Sequence, residues 1–424
     1  MRQMKDSGIE WIGEIPVEWT LSKIGSMYNE RKQKVSDRDY APLSVTMKGI
    51  VPQLSTAAKT DSHDDRKLVL KGDFAINSRS DRRGSCGISK YDGSVSLINI
   101  ILAPKQDMNP EYYDWLFHTS MFADEYYKWG HGIVDDLWTT GWQDMKSIVV
   151  PCPDLSEQQA IATFLDKKCT EIDNAIAKTA ASIEEYKKLK QSIITKAVTK
   201  GIRGNRPMKD SGIEWIGEIP SDWEICKVRH IGTLQNGISK GGEFFGSGFP
   251  FVSYGDVYRN ISLPACVDGL VQSSSEEQKL YSVQEGDIFF TRTSETIEEV
   301  GFSSVCENDI PKATFAGFLI RLRPNKNKIY SGFSKYYFRS SHHRSFLIKE
   351  MNLVTRASLG QSLLKSMFVL LPGMNEQYEI AEYLDSKCNE IDNITSRKQQ
   401  LITELEAYKK SLIYEYVTGK KEVV

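Results

Sequence analysis

Apolar and small residues fall at Leu165, Cys169, Ile172, Ile176, Thr179, Ile183, Tyr186, Ile193 and Ala197, at alternating spacings of four and three. That spacing predicts a long helix carrying one stripe that packs against another helix. No Pro or Gly interrupts the run from Ser156 to Lys200, and Glu184, Glu185, Lys187 and Lys188 lie off the stripe, where a solvated face accepts them. Lys190 is the one charged residue on the seam, and Ser156 followed by Gln159 resembles a capping box. A second seam begins at Asn375 and reads Leu384, Cys388, Ile391, Thr395, Ile402, Leu405, Leu412 and Tyr416, interrupted by Lys398 and Lys409. Each helix is on the order of 65 Å long. A ~150-residue globule is only roughly 35 to 40 Å across, so each stripe needs another long helix as its partner. The nearest candidate is the other seam of the same chain, in an antiparallel pair with globular parts at opposite ends and approximate two-fold symmetry. A second subunit is the competing partner.

Between the seams the pattern changes. Short β-like runs, Ser94–Leu102, Asp287–Thr291 and Gly317–Leu322, lie between Gly, Ser and Asp clusters, and helical stretches follow near Tyr112–Tyr127 and Phe333–Ile348. The globular parts, about 17–155 and 221–374, therefore read as α+β.

The chain is written twice. Met4 to Pro16 recurs without a change as Met208 to Pro220, an offset of 204 residues. Glu157 to Asp173 recurs as Glu376 to Asp392, identical at 11 of 17 positions, and here the offset is 219. Weaker pairs run in the same order between them: Gly72-Asp73 with Gly286-Asp287, Gly87 with Gly301, Pro104 with Pro324, and Lys146-Ser147 with Lys365-Ser366. The period is far beyond the ~20 to 50 residues of a solenoid repeat, so each copy is a module with its own core. The resulting division is a first globular domain over 1–155, a long helix over 156–203, a second globular domain over 204–374 and a second long helix over 375–424. The Gly201 to Pro207 linker, with its helix-stopping Gly and Pro residues, separates the two modules.

Composition adds mainly exclusions. Fifty-four Lys and Arg against fifty-six Asp and Glu leave a net charge of −2, so any anion-binding surface is local. Seven scattered cysteines without a CxxC pair describe neither a disulfide framework nor a zinc site, which favours a reducing compartment. No apolar run approaches the ~20 residues of a membrane span, and the expected location is the cytoplasm.

Catalytic motifs are missing. Gly237 to Gly242 is glycine-rich but has the wrong spacing for a phosphate-binding P-loop, the six histidines show no HExxH spacing, and no GxSxG elbow occurs. Asn109-Pro110-Glu111-Tyr112 approaches the Asn-Pro-Pro-aromatic motif of amino-methyltransferases, yet reads better as the cap and first turn of a helix.

The module ends are alike and the middles diverge, which suggests one scaffold with two reading surfaces. The informative loops are Asn77 to Gly84, with Arg79, Arg82 and Arg83, and Thr291 to Ser294, with Arg292; both follow the shared Gly-Asp strand. Arginine presents a fork that matches guanine or clamps phosphate, and Ser, Thr and Asn donate to phosphate oxygens. A single exposed basic loop carries no such message, but equivalent loops in both copies point to DNA. Lys240, Arg259, Arg321, Arg323, Arg339, Arg344 and Arg356 enrich the second copy, and Tyr254, Tyr258, Trp138 and Trp142 are weaker candidates for packing on sugar or base. The candidate DNA-binding residues are therefore Asn77, Arg79, Arg82, Arg83, Lys240, Thr291, Arg292 and Arg356, with no catalytic, cofactor or metal residue among them.

The two Gly-Ile-Glu-Trp-Ile-Gly-Glu-Ile-Pro openings, the segment from Gly286 to Ser294 and the two Glu-Gln helix openings at Glu157 and Glu376 resemble the DNA specificity subunits of type I restriction-modification systems, over nearly the whole chain. The resemblance implies two target recognition domains reading the halves of a split, asymmetric DNA sequence, and paired helices acting as a ruler for the gap. It implies a non-catalytic subunit that docks two modification subunits, which methylate adenine N6 with S-adenosylmethionine, and restriction subunits that cleave DNA with ATP and Mg. This chain would bind none of these cofactors, and the helices from Ser156 and Asn375, with the segments around Trp11 and Trp215, would be docking surfaces. One departure is acidic: Glu295, Glu298 and Glu299 surround Arg292, which counts against a phosphate role for Arg292; the readout alternative is an acidic residue accepting from cytosine N4. The alternative from another class is a rod-like protein scaffold that does not touch DNA.

Overall fold

The repeated opening folds both times into the same hairpin, and its glycines explain why. Met4–Asp6 pairs antiparallel with Glu14–Pro16, and Met208–Asp210 with Glu218–Pro220. Asp6 and Asp210 each accept the amide of the glycine two residues on, at 2.9 and 3.0 Å. Gly8 and Gly212 then sit at φ +70°, a left-handed conformation that strains any residue with a Cβ. In the computed structural model the described residues are 2–54, 63–105, 108–132, 138–214, 216–294, 300–325, 327–350 and 357–423. They form two units, residues 1–180 with 399–424, and residues 181–398.

In the first unit β1 (Tyr28–Glu30), β2 (Phe74–Asn77), β3 (Cys86–Ile88) and β4 (Asn99–Pro104) make an antiparallel sheet in the order β1-β4-β2-β3. One face is covered by α1 (Pro110–Phe117) and α2 (Ser120–Lys128), whose Tyr112, Tyr113, Phe117, Phe122 and Tyr126 are buried with Phe74 and Leu102. Asn109 caps α1 by accepting the Tyr112 amide at 3.0 Å, with Pro110 in the first turn. The methyltransferase-like segment is thus a helix start.

The second unit builds the same sheet from β5 (Gly232–Asn236), β6 (Ile288–Thr291), β7 (Ser303–Val305) and β8 (Leu319–Pro324), in the order β5-β8-β6-β7. Two helices again follow β8, α4 (Ser331–Tyr337) and α5 (Ser341–Glu350). The Gly-Asp pair serves one purpose in both units. Gly72 and Gly286 turn the chain at φ +91° and +84°, and the aspartate that follows accepts the amide three residues back at 2.9 Å. That aspartate is buried and paired with an arginine, Arg31 to Asp73 at 2.6 Å and Arg323 to Asp287 at 2.6 Å.

The second layers differ. The first unit has a three-stranded antiparallel sheet (Gly93–Ser96, Arg66–Val69, Lys34–Val35) and a hairpin (Leu43–Thr46, Gly49–Pro52). The second has Leu270–Val271, Phe245–Val252 and Thr314–Phe315, with one parallel pair, and two short helices, Tyr254–Arg259 and Ser275–Leu280. Each encloses its own small core, Leu43, Ile50, Val69 and Val95 in the first and Phe251, Val257, Phe289 and Phe315 in the second.

Both long helices are present, α3 (Leu155–Lys200) and α6 (Met374–Val417). In the first unit Phe164 meets Tyr416 at 4.4 Å between ring centres and Asp173 meets Lys409 at 2.7 Å, so the segments run antiparallel. In the second unit Tyr186 lies under Lys398 at 5.7 Å and Lys190 meets Asp392 at 2.7 Å, again antiparallel. All three seam lysines therefore have partners on the facing helix. Each helix ends on a left-handed glycine, Gly201 at φ +73° and Gly419 at φ +71°.

Three local expectations need correction. The cap of α3 is Asp154, which accepts the Glu157 amide at 2.8 Å; Gln159 instead reaches Asn109 and Thr163, so Ser156 and Gln159 make no capping box. The run Ser94–Leu102 is two strands separated by a turn at Leu97-Ile98. Each predicted helical stretch is a pair of helices, the first broken where Thr119 caps α2 through the Phe122 amide.

Candidate nucleic-acid interface

In each antiparallel sheet the loop after the Gly-Asp strand lies at the end opposite the Gly-Asp turn, in both units. In the first unit Asn77 closes β2 and the chain turns through a short 3-10 segment at Ser80–Arg82. The loop is bonded along its length. The Asn77 side chain accepts the Arg79 amide at 3.0 Å, the Ser78 hydroxyl donates to Ile98 O at 2.6 Å, and the Thr140 amide donates to Ser78 O at 2.9 Å. From below, the Tyr127 hydroxyl lies 3.2 Å from both Asn77 O and Arg82 O. Burial raises the Tyr127 phenol above its ordinary range, keeping it a neutral donor.

Arg79, Arg82 and Arg83 are exposed on this frame. Arg82 lies 3.6 Å from Asp81, and Arg83 makes a 2.9 Å pair with Asp124 while its guanidinium stands 5.4 Å over the Tyr127 ring. Exposed pairs of this kind hold weakly, so a phosphate or base edge can replace the carboxylate. The loop also borders a cavity of about 890 Å³ that Trp11, Tyr127 and Trp138 line together with Arg83 and Asp124. Trp138 is thus a wall of this cavity, whereas Trp142 packs against the core.

In the second unit the corresponding loop begins at Thr291, whose side chain is buried; its hydroxyl accepts the Phe302 amide at 2.9 Å. Thr291 is therefore part of the sheet's interior and is withdrawn as a DNA contact. Arg292 is half-buried, with its backbone fixed on both sides: its amide donates to Phe318 O at 2.9 Å and its carbonyl accepts the Leu359 amide at 2.7 Å. Thr293–Ser294 then pairs with Ala357–Ser358. Arg356, Glu295, Glu298, Glu299 and Trp215 lie outside the described residues.

The other basic residues of the second copy have mostly internal duties. Lys240 binds Glu277 at 2.8 Å and Gln272 O at 2.7 Å; that contact holds the Glu277 carboxyl below its usual range. Its role is to fix the loop. Arg339 donates to Ser303 O, Val257 O, Tyr258 O and Asn260 O at 2.6 to 2.9 Å, and burial lowers its pKa. Arg321 is buried, its guanidinium pushed down to about 10 by desolvation against the pull of Asp287, and Arg323 belongs to the Asp287 pair. Tyr254 and Tyr258 stack on one another at 5.9 Å, and Tyr258 packs on Phe302.

What the pattern alone missed is the function of the Glu-Gln helix opening. Glu157 accepts the Trp19 indole N–H at 2.7 Å and pairs with Arg2 at 2.9 Å; Glu376 accepts from Trp223 at 3.0 Å and pairs with Arg206, which also reaches Asp222 at 2.6 Å. The glutamine beside each joins the helix to the globule. Gln158 accepts the Asn109 amide and Gln377 the Tyr330 amide, both at 2.8 Å. The repetition of both dipeptides with the two tryptophans was the available signal.

Among the described residues no group of His, Cys, Asp and Glu is placed to hold a metal, all seven cysteines are free, and no helix is long and apolar enough to cross a membrane.

Residues 220–404 match the family model described as the type I restriction modification DNA specificity domain. The chain is 24% identical over 424 residues to the type I restriction enzyme MjaVIII specificity subunit of Methanocaldococcus jannaschii, covering 96% of this chain and 94% of the relative. It is 24% identical over 277 residues to the EcoKI specificity subunit of Escherichia coli K12, covering 60% and 55% of the two chains. Among solved structures it resembles a chain from a study of complex assembly and conformational transition of the type I R-M system, with TM-score 0.74, 13% identity and coverage of 96% and 99%. It also resembles the HsdS subunit of Thermoanaerobacter tengcongensis, with TM-score 0.56, 15% identity and coverage of 96% and 98%. At such identities the structural likeness speaks for the fold.

Proposed function

We propose that the chain is a DNA specificity subunit of a type I restriction-modification system and that it reads a two-part, asymmetric DNA target, one part with each globular domain. The observation that carries this reading is the pairing of one scaffold with two different surfaces. Strand order, Gly-Asp turn and helix anchor repeat, while the second layer and the loop after the Gly-Asp strand differ. Repetition of the frame supports symmetric attachment, and divergence of the loops supports recognition of two unlike half-sites. A protein scaffold indifferent to DNA would give no reason for bonded arginine loops at the same end of both sheets.

In this reading the chain has no catalytic role and binds no cofactor itself. Two modification subunits supply S-adenosylmethionine chemistry, restriction subunits supply ATP- and Mg-dependent cleavage, and the complex works in the cytoplasm on double-stranded DNA. Arg79, Arg82, Arg83 and Arg292 face the DNA, with Asn77 and Lys240 holding the loops in shape. The long helices set the unspecified gap and dock the modification subunits.

The test is to express the chain with its modification subunit in a methylation-free host and map N6-methyladenine. A single split motif is the expected result. A stable complex that leaves the genome unmethylated and binds DNA without sequence preference would overturn the reading.

A further inference from the structure

At the loop end of the β5–β8 sheet, one side chain has no part in the reading above. Phe318 stands 65% exposed on the turn that leads into β8. The backbone around it is tied down. The Ala316 amide donates to Val252 O at 3.0 Å, Gly317 to Ile238 O at 2.7 Å and Leu319 to Ala316 O at 2.9 Å, while Phe318 O accepts the Arg292 amide at 2.9 Å. A Cβ on Gly317 would lie 2.4 Å from Ser239 Oγ and 3.0 Å from Ile238 O, so a larger residue there would have to displace the Ser239 hydroxyl and press on the Ile238 carbonyl. On either side Ala316 and Leu319 belong to the small core, which the Phe318 ring does not join. The turn is a rigid mount that holds an aromatic ring in solvent. The equivalent turn of the first unit carries no aromatic ring: Ile98, at the aligned point, is half-buried, and the exposed residue is the aliphatic Leu97 before it.

A lone exposed apolar side chain is ordinary by itself. This one shares a backbone hydrogen bond with the arginine assigned to the second half-site. We propose that Phe318 is a specificity-determining residue of that half-site, its ring packed on the 5-methyl group of a thymine in the major groove beside the base edge that Arg292 reads. Thymine alone offers a methyl in that groove, whereas cytosine offers an amino donor that an apolar ring would leave unsatisfied. Because the mount is already rigid, little ordering entropy is lost on contact. The inference rests on the DNA-reading role proposed above.

The test uses the complex of this chain with its modification subunits on a duplex carrying the mapped target. Each thymine of the second half-site is replaced in turn by deoxyuridine, which lacks only the methyl. One replacement is expected to weaken binding about fourfold, the worth of one buried methyl. Phe318→Ala should lose that sensitivity, bind the unmodified target at least as weakly, and melt at the same temperature. Equal deoxyuridine effects in both proteins, no effect in either, or a second half-site without thymine on either strand would overturn it. Sequence-selective binding with no Phe318-dependent thymine sinks this inference alone, whereas loss of all sequence selectivity in a well-formed wild-type complex sinks the DNA reading itself.

Discussion

Glu376 is the residue on which the second unit's anchor converges. Its side chain is 5% exposed and accepts from both Trp223 and Arg206, whereas that of Glu157 is 21% exposed. Removing one partner of a buried pair leaves an unmatched charge, at a cost of about 3 to 5 kcal/mol, and the cost falls as water reaches the site. Glu376→Ala is therefore expected to destabilise by about 3 kcal/mol and Glu157→Ala by about half as much, as measured by urea unfolding. Equal losses would show that exposure does not set the difference. Two of the four loop arginines, Arg82 and Arg292, divide similarly by environment. Arg82, 68% exposed beside Asp81, suits phosphate, so Arg82→Ala should weaken binding to all sequences and lower the salt slope by about one. Arg292, fixed through its backbone, suits a base edge. Arg292→Ala should relax bases in the second half-site alone, by about 1 to 3 kcal/mol of discrimination, as read by the methylation map. A change at the first half-site would contradict this assignment.

At the scale of elements, the seam lysines read as interruptions in the heptads, and each has an answering group on the facing helix. Lys190 meets Asp392, Lys409 meets Asp173, and Lys398 lies over Tyr186. A charged seam position fixes register at some expense in stability. Replacing all three lysines by leucine should raise the melting temperature while producing species of more than one mass in light scattering. A sharper, single species would show that the lysines play no part in register. The helices were legible because a stripe without Pro or Gly over so many residues has few other folds to adopt. The capping was not: Ser156 and Gln159 have the right types at the right spacing, but Asp154 lies one residue before the helix and takes the amide. Thr291 shows the same limit. A threonine after an apolar strand looks like the start of a loop, and only the pairing with β8 places it inside the sheet.

At the scale of the whole molecule, the repeat in the sequence foretold the duplication of the frame, and divergence of the middles foretold that the second layers differ. How they differ was beyond the pattern, because most of their strands have only two to four residues, too few positions to show a period, and the eight-residue Phe245–Val252 holds two glycines and a proline. The ruler reading gives its own test: inserting seven residues into each helix adds about 10 Å, close to three base pairs of gap, with both half-sites unchanged. Exchanging residues 17–155 for another recognition domain should alter the first half-site only. Altered bases in both halves would refute modular readout.

The first unit is also interleaved in time. Its core contains Leu412, Ile413 and Val417, and the Tyr112 hydroxyl donates to Val417 O across a separation of 305 residues. At a ribosome's pace of about 5 to 20 residues per second, the sheet that is made first waits at least fifteen seconds for the helix segment that covers it. The second unit, confined to residues 181–398, has no such wait. The domain synthesised first is thus the later to be finished, and a chain cut short before Leu412 would lose the first reading head while keeping the second.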